Sequence, residues 1–140
     1  MKSICAIFFA LLATAAATAR VDTAMEWNQR AMAAITTAKQ SLSEAAKTMV
    51  AVQAAMSGAV NALGQGNGSN TGAHSVESSR SAASAIAAFA ILEHLFPDQL
   101  PELEVWLAVS LADIPESQAK ADALVVGRKA ANEILGRGAQ

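Results

Sequence analysis

The sequence predicts an all-α fold, a bundle of about five helices in which two helices are separated by a glycine-rich linker from the other three. Apolar residues recur at intervals of three and four along most of the chain, which is the spacing of one face of an α-helix. No segment has the pattern of a β-strand. Prolines and a run of glycines separate the helical stretches. The predicted helices cover residues 22–39, 42–63, 75–95, 100–112 and 116–135.

The first nineteen residues have the pattern of a secretory signal peptide. Lys2 precedes an apolar run from Ile4 to Ala17, and small residues at positions 17 and 19 give a cleavage site. The alternative is a membrane anchor, but the run is shorter than the roughly 20 apolar residues of a spanning helix. We therefore expect cleavage after Ala19, a secreted or periplasmic protein, and a single helical domain over residues 20–140.

The composition of the mature chain excludes several kinds of site. Cys5 is the only cysteine and lies within the signal peptide, so disulfides and thiol chemistry are not expected. Without Lys2 the chain has nine basic and twelve acidic residues, a net charge of −3 with histidine neutral. The basic stripe of a nucleic-acid-binding protein is missing. Tyrosine is absent, and the few aromatic residues offer no stacking platform for bases or sugars.

The first two helices share one apolar series and meet near Gln40. Ser41 and Glu44 have the spacing of a capping box, which predicts a helix start rather than one continuous rod. The apolar face is predicted to consist of Trp27, Ala31, Ile35, Ala38, Leu42, Ala45, Met49, Val52, Met56, Val60 and Leu63.

The segment GQGNGSNTG, Gly64 to Gly72, contains four glycines and no large apolar residue. Its composition predicts a surface linker over residues 64–73. A phosphate-binding loop is the alternative. That reading lacks a preceding strand and a terminal Gly-Lys-Ser/Thr.

Prolines delimit the last three helices. The third should end before Pro97, because the α region is disfavoured for the residue ahead of a proline. Pro101 suits the first turn of the fourth helix, and Pro115 should end that helix and fix its angle to the fifth. Gly136 should close the fifth helix. The apolar face of the fourth helix is predicted to be Leu103, Trp106, Leu107 and Leu111.

The fifth helix is predicted to pack closely against a neighbour. Gly127 and Ala131 are four residues apart, so one face is thin enough for another helix to approach. Acidic residues near the start and basic residues near the end suit the helix dipole. These charged residues are Asp113, Glu116, Arg128, Lys129 and Arg137.

The search for a catalytic or metal site is negative, and no catalytic, cofactor-binding or metal-ligating residue is predicted. His74 and His94 are twenty residues apart and have no cysteine partner, whereas a zinc site needs three or four convergent ligands. His74, Ser75 and Glu77 can be written as a triad but are not expected to converge. The methionines are expected to pack in the core, with a cofactor pocket as a remote alternative. They are Met25, Met32, Met49 and Met56.

Three segments carry a family resemblance. They are WNQRAMAAI from Trp27, AAKTMVAVQAAMSGAVNAL from Ala45, and AFAILEHLFPDQLPELEVWLAVSLADIPESQAKADALVVGRKAANEIL, which starts at Ala88, directly before Phe89, and ends at Leu135. In this order they resemble the N-terminal helical region of exported vanadium-dependent haloperoxidases, relatives of the type 2 phosphatidic acid phosphatases. The resemblance covers nearly the whole mature chain.

The resemblance implies a larger helical bundle whose later half, beyond Gln140, binds vanadate or phosphate. The family's Arg-Pro, Ser-Gly-His and Ser-Arg motifs would supply the anion clamp, the general acid and the ligating histidine. In this chain no Arg precedes Pro, Ser57-Gly58 is followed by Ala59, and Ser79-Arg80 has Ile86 at the histidine position. No family site residue can be transferred, so no cofactor and no independent enzymatic activity are expected for this chain.

Three functions remain open at this stage. The first is a non-catalytic helical domain that acts as a scaffold or binds a partner. The alternative is part of an active haloperoxidase or phosphatase whose anion-binding half comes from another chain or a missing C-terminal segment. A membrane-surface protein is the third, but it needs a basic polar face. We also expect a leftover apolar face, as in Ala82 to Leu95, that docks on a catalytic half, a second copy or another exported protein.

Overall fold

The computed structural model describes residues 22–66 and 73–138, and over these ranges it confirms an all-α bundle of five α-helices without strands. The predicted signal peptide lies outside the described residues, as do residues 67–72 of the predicted linker. A single turn of 3₁₀ helix, Pro97–Gln99, precedes the fourth helix. The helices are α1 (Thr23–Thr37), α2 (Leu42–Gly66), α3 (Ala73–Leu95), α4 (Leu100–Ala112) and α5 (Gln118–Gly138).

Helix α3 is the centre of the bundle and contacts each of the other four helices. Every residue from Ala82 to Leu92 is buried, so this part of the helix has no solvent-facing side. Six of these residues are alanines, whose short side chains allow neighbours to approach from all directions. The expectation of a leftover apolar face between Ala82 and Leu95 is therefore wrong for residues 82–92. The bundle itself covers them.

The turn between α1 and α2 confirms the predicted capping box. The Ser41 N–H donates to Glu44 Oε2 (2.9 Å), and the Glu44 N–H donates to Ser41 Oγ (3.3 Å). Lys39 has a φ of 52°, which reverses the chain after α1. The turn changes the phase of the apolar pattern. Ala38 and Leu42, predicted to lie on the apolar face, are consequently exposed, and Leu42 retains 89% of its accessible surface.

The helices on both sides of the glycine-rich segment are longer than predicted. Helix α2 continues to Gly66 and α3 begins at Ala73, so both ends of the predicted linker 64–73 are helical. A glycine within a helix costs about 1 kcal/mol relative to alanine. Leu63, directly before Gly64, packs against the core and holds this end of the helix in place.

The proline boundaries are confirmed, whereas the ends of α5 differ from the prediction. Pro101 lies in the first turn of α4, and α3 ends before Pro97. Helix α5 starts at Gln118, because Ser117 caps it by accepting a hydrogen bond from the Lys120 N–H (3.1 Å). It then runs through Gly136 to Gly138, so the predicted stop at Gly136 is wrong.

Gly127 lies where α5 crosses α3, which confirms the predicted close approach. A Cβ atom placed on Gly127 would lie 2.3 Å from Ile86 Cγ2 and 2.4 Å from the carbonyl oxygen of Ala83. Real Cβ atoms essentially never lie so close to other atoms, and the backbone of Ala83 cannot rotate away as a side chain can. Only glycine fits at this crossing. Ala131, the next small residue on this face, is also buried.

Candidate interaction surface

The two histidines considered for catalysis lie at opposite ends of α3. His94 is exposed in the last turn of α3, and His74 is the second residue of that helix. Ser75 and Glu77 line different clefts. Among the described residues, no three histidine, cysteine or acidic side chains are arranged to hold a metal ion. None of the described helices is long and apolar enough to cross a membrane.

The methionines divide into two groups, and the prediction that they pack in the core is wrong for α1. Met56 is buried and Met49 is half-buried on α2. Met25 and Met32 are 57% and 50% exposed. The reason is the orientation of α1, whose buried face carries Trp27, Ala31, Ala34 and Ile35. The two methionines are seven positions apart, so they lie together on the face opposite the buried one.

Helix α4 is the most apolar of the five helices, yet Leu103 is its only fully buried residue. Trp106, Leu107 and Leu111 pack partly against the core, as the sequence predicts. On the other side, Val105 and Val109 are 60% and 59% exposed. Ala108 and Ala112 are exposed beside them. We call these four residues, Val105, Ala108, Val109 and Ala112, the α4 outer face.

The α4 outer face has the geometry of a helix-packing surface. Its residues occupy positions i, i+3, i+4 and i+7, so they form one stripe along the helix. The stripe contains no charged residue, and β-branched and small side chains alternate along it. When two helices pack, ridges of side chains with this spacing on one helix fit into the grooves of the other. No described part of the chain covers this stripe.

A cleft adjoins the α4 outer face at its C-terminal end. It lies between the start of α1, the start of α3 and the end of α4, and its volume is about 830 Å³. Four carboxylates line it, and no basic residue is found among its lining residues. We call this cleft, with Asp22, Glu26, Glu77 and Asp113 in its walls, the acidic cleft.

Arg30 joins α1 to α4 beneath this surface. Its Nη1 donates to the carbonyl oxygen of Trp106 (2.6 Å) and to Ser110 Oγ (2.8 Å), and its Nη2 is paired with Glu26. The guanidinium carbon lies 5.0 Å from the centre of the Trp27 ring and 5.7 Å from that of Trp106. Stacking and hydrogen bonding together hold α4 at a fixed position on α1.

Lys120 secures the other end of α4. Its ammonium group is buried and donates to the carbonyl oxygens of Leu111 (3.2 Å) and Ile114 (3.0 Å), and it also pairs with Glu116. Leu111 lies in the last turn of α4, and Ile114 lies two residues beyond the end of the helix. A cation there also suits the helix dipole. Pro115 and Lys120 together determine how α4 leads into α5.

The sequence interpretation did not single out Arg30 or Lys120. Local spacing gave a partial signal. Glu26 and Arg30 are four residues apart, as are Glu116 and Lys120, and such pairs form on one helix. The decisive partners of Arg30, however, lie 76 and 80 residues away on α4. Arg128, predicted to act on the dipole of α5, instead pairs with Glu93 of α3.

Fold and surface together define an all-α bundle packed around an alanine-rich central helix, with an uncharged helix face left on its outside. No family model, no curated protein and no solved structure matches the chain. The resemblance to the haloperoxidases therefore stays a prediction.

Proposed function

We propose that this chain is an exported, non-catalytic helical domain that acts as a scaffold or binds a partner protein. One observation carries the proposal. The most apolar helix of the bundle, α4, keeps an uncharged packing stripe on the outside. Single exposed apolar residues are common on protein surfaces, but a continuous apolar patch is typical of a binding surface.

The resemblance of the segments starting at Trp27, Ala45 and Ala88 to the N-terminal region of vanadium-dependent haloperoxidases supports the same proposal. In that family a later helical half completes a larger bundle, so an outer helix of the first half requires a packing surface. The alternative follows from the same reasoning. The chain would then be part of an active haloperoxidase or phosphatase, and another chain or a C-terminal segment would supply the anion-binding half.

Dye binding and oligomeric state test the proposal directly. The mature chain, residues 20–140, should bind a hydrophobic dye or associate through the α4 outer face. The double variant Val105→Ser/Val109→Ser should lose most of this signal. Val50→Ser is the matched control, since Val50 is 66% exposed on α2. A monomer that binds no dye would contradict the proposal.

Activity and mass distinguish the proposal from its alternative. Under the proposal and under its alternative alike, the isolated chain should show no vanadate-dependent halide oxidation and no phosphatase activity. Adding a complementary helical half restores activity only if the chain is part of an enzyme. The intact mass of the naturally exported protein gives a second criterion. A mass matching residues 20–140 supports a free-standing domain cleaved after Ala19, and a much larger mass supports the alternative.

A further inference from the structure

We propose that the α4 outer face and the acidic cleft form one docking site for a basic amphipathic helix of a partner protein. The inference rests on the proposed function and adds the location of the site and the chemistry of the partner.

The two parts of the site are continuous. Val109 belongs to the α4 outer face and also lines the acidic cleft, together with Ser110 from the same helix and Asp113, which directly follows it. A helix that covers Val105 and Val109 therefore reaches the carboxylates of the cleft without leaving the surface. Amphipathic helices bind such surfaces through anchors at i, i+3, i+4 and i+7, the spacing that α4 itself presents.

Acidic residues lie at both ends of the α4 outer face. Glu102 and Glu104 are exposed at the start of α4, and Asp113 follows its end. Asp22 and Glu77 line the acidic cleft together with Asp113. The C-terminus of α4 adds the negative end of a helix dipole. An approaching helix thus meets an apolar stripe with negative potential at both ends.

Basic side chains neutralise only part of this surface. Arg30 pairs with Glu26, which leaves Asp22, Glu77 and Asp113 in the cleft, and Arg80 of α3 is not among the lining residues. The guanidinium of Arg30 is mostly buried and already engaged with Glu26, Trp106 and Ser110. The ammonium of Lys120 is directed to the carbonyls at the end of α4. Both cations thus hold α4 in place and are not available to an incoming group. Lysine and arginine on the partner are the complementary charges.

A second copy of the chain is a poorer occupant than a basic helix. In an antiparallel pairing of two α4 helices, Asp113 of one copy would face Glu102 and Glu104 of the other. In a parallel pairing, each carboxylate would face its own counterpart. Like charges placed opposite each other across an interface oppose association. An anionic membrane surface is disfavoured for the same reason.

The site is preorganised, which lowers the entropic cost of binding. Arg30 stacks between Trp27 and Trp106 and fixes α4 on α1, and Leu103 anchors α4 in the core. A partner therefore meets a helix that is already in position.

Titration of the mature chain with synthetic peptides tests this inference. The probe is a peptide of about 18 residues with leucine at i, i+3, i+4 and i+7 and lysine on its polar face. One control peptide keeps the leucines and replaces every lysine by glutamate. A second has the same composition in scrambled order. Isothermal titration calorimetry should show binding of the lysine peptide alone, and its affinity should fall when salt is raised from about 50 to about 300 mM.

Variants of the protein locate the site. Val105→Ser/Val109→Ser should weaken binding of the lysine peptide by about tenfold or more, since both anchoring contacts are lost. Glu77→Gln/Asp113→Asn should weaken it about threefold at low salt and reduce its salt dependence. Val125→Ser, which changes a 69% exposed valine on α5, should leave the affinity unchanged. Circular dichroism confirms that each variant is folded.

Several results would overturn the inference. Equal binding of the three peptides would do so, as would binding that is insensitive to the valine changes. Dimerisation through the same valines would assign the site to a second copy, and binding to anionic vesicles would assign it to a lipid surface. If the valines account for dye binding but no peptide binds, the docking of a basic helix is refuted while the proposed function stands. If neither dye nor peptide binds, both fail.

Discussion

Helices α3 and α4 are both apolar, yet they occupy opposite environments. Residues 82–92 of α3 are all buried, although most of their side chains are small. Helix α4 has bulkier apolar residues, and only Leu103 is fully buried. The small side chains of α3 allow four helices to surround it, whereas α4 lies at the edge of the bundle with one side covered. Hydrophobicity therefore predicts that a helix packs, but not how many of its sides are covered.

The largest expected effect comes from filling the space between α3 and α5. Gly127→Leu should prevent folding or lower the free energy of unfolding by about 3 kcal/mol or more, because overpacking costs about 1–3 kcal/mol even where side chains can adjust. Here the obstacle is the Ala83 backbone. Asp122→Leu, at an exposed position of the same helix, should be tolerated. Urea denaturation measures both variants, and equal tolerance would contradict close packing at Gly127.

Truncation of one large side chain in each helix tests the comparison between α3 and α4 directly. Leu92→Ala should destabilise the protein by about 2–5 kcal/mol, the usual cost of removing a buried leucine side chain. Val109→Ala should change stability by no more than about 0.5 kcal/mol, as is usual for a surface position. Similar losses in thermal or urea unfolding would mean that α4 is covered on both sides.

Removing the connection between α1 and α4 should have an intermediate effect. Arg30→Met should cost about 2–3 kcal/mol, since hydrogen bonds made by a charged group contribute about 1.5–3 kcal/mol. Arg30→Lys should not restore this stability, because an ammonium cannot reproduce the planar fork between two indole rings. Arg80→Met is the control at an exposed position of α3. A shift in tryptophan fluorescence should accompany the Arg30 variants alone.

The smallest effect is expected at the turn between α1 and α2, which lies outside α3 and α4. Hydrogen bonds from the Ser41 side chain and backbone lower the pKa of Glu44 below its ordinary value of 4.5. A lowered folded-state pKa stabilises the protein fully above that ordinary value, and the contribution is lost as pH falls through the folded-state pKa. Glu44→Gln should therefore be less stable than the parent at pH 7 and indistinguishable from it at low pH. A difference independent of pH would exclude the carboxylate as the cause.

Local features of this chain could be predicted from the sequence, and features that depend on distant partners could not. The Ser41–Glu44 cap, the proline boundaries of α4 and the thin face at Gly127 each follow from residues within a few positions of one another. The exposure of Met25 depends on which face of α1 the core occupies, and periodicity alone leaves that choice open. The proposed site was missed for the same reason, because the exposure of Val105 and Val109 depends on the position of α4 in the bundle.

Native-state hydrogen exchange tests the central claim most directly, namely that α3 is the enclosed centre and α4 an edge helix with an open face. The amides of residues 82–92 should exchange only through global unfolding, and those of residues 105–112 through local opening with a smaller free energy. Equal protection of the two helices, or slower exchange in α4, would contradict the account.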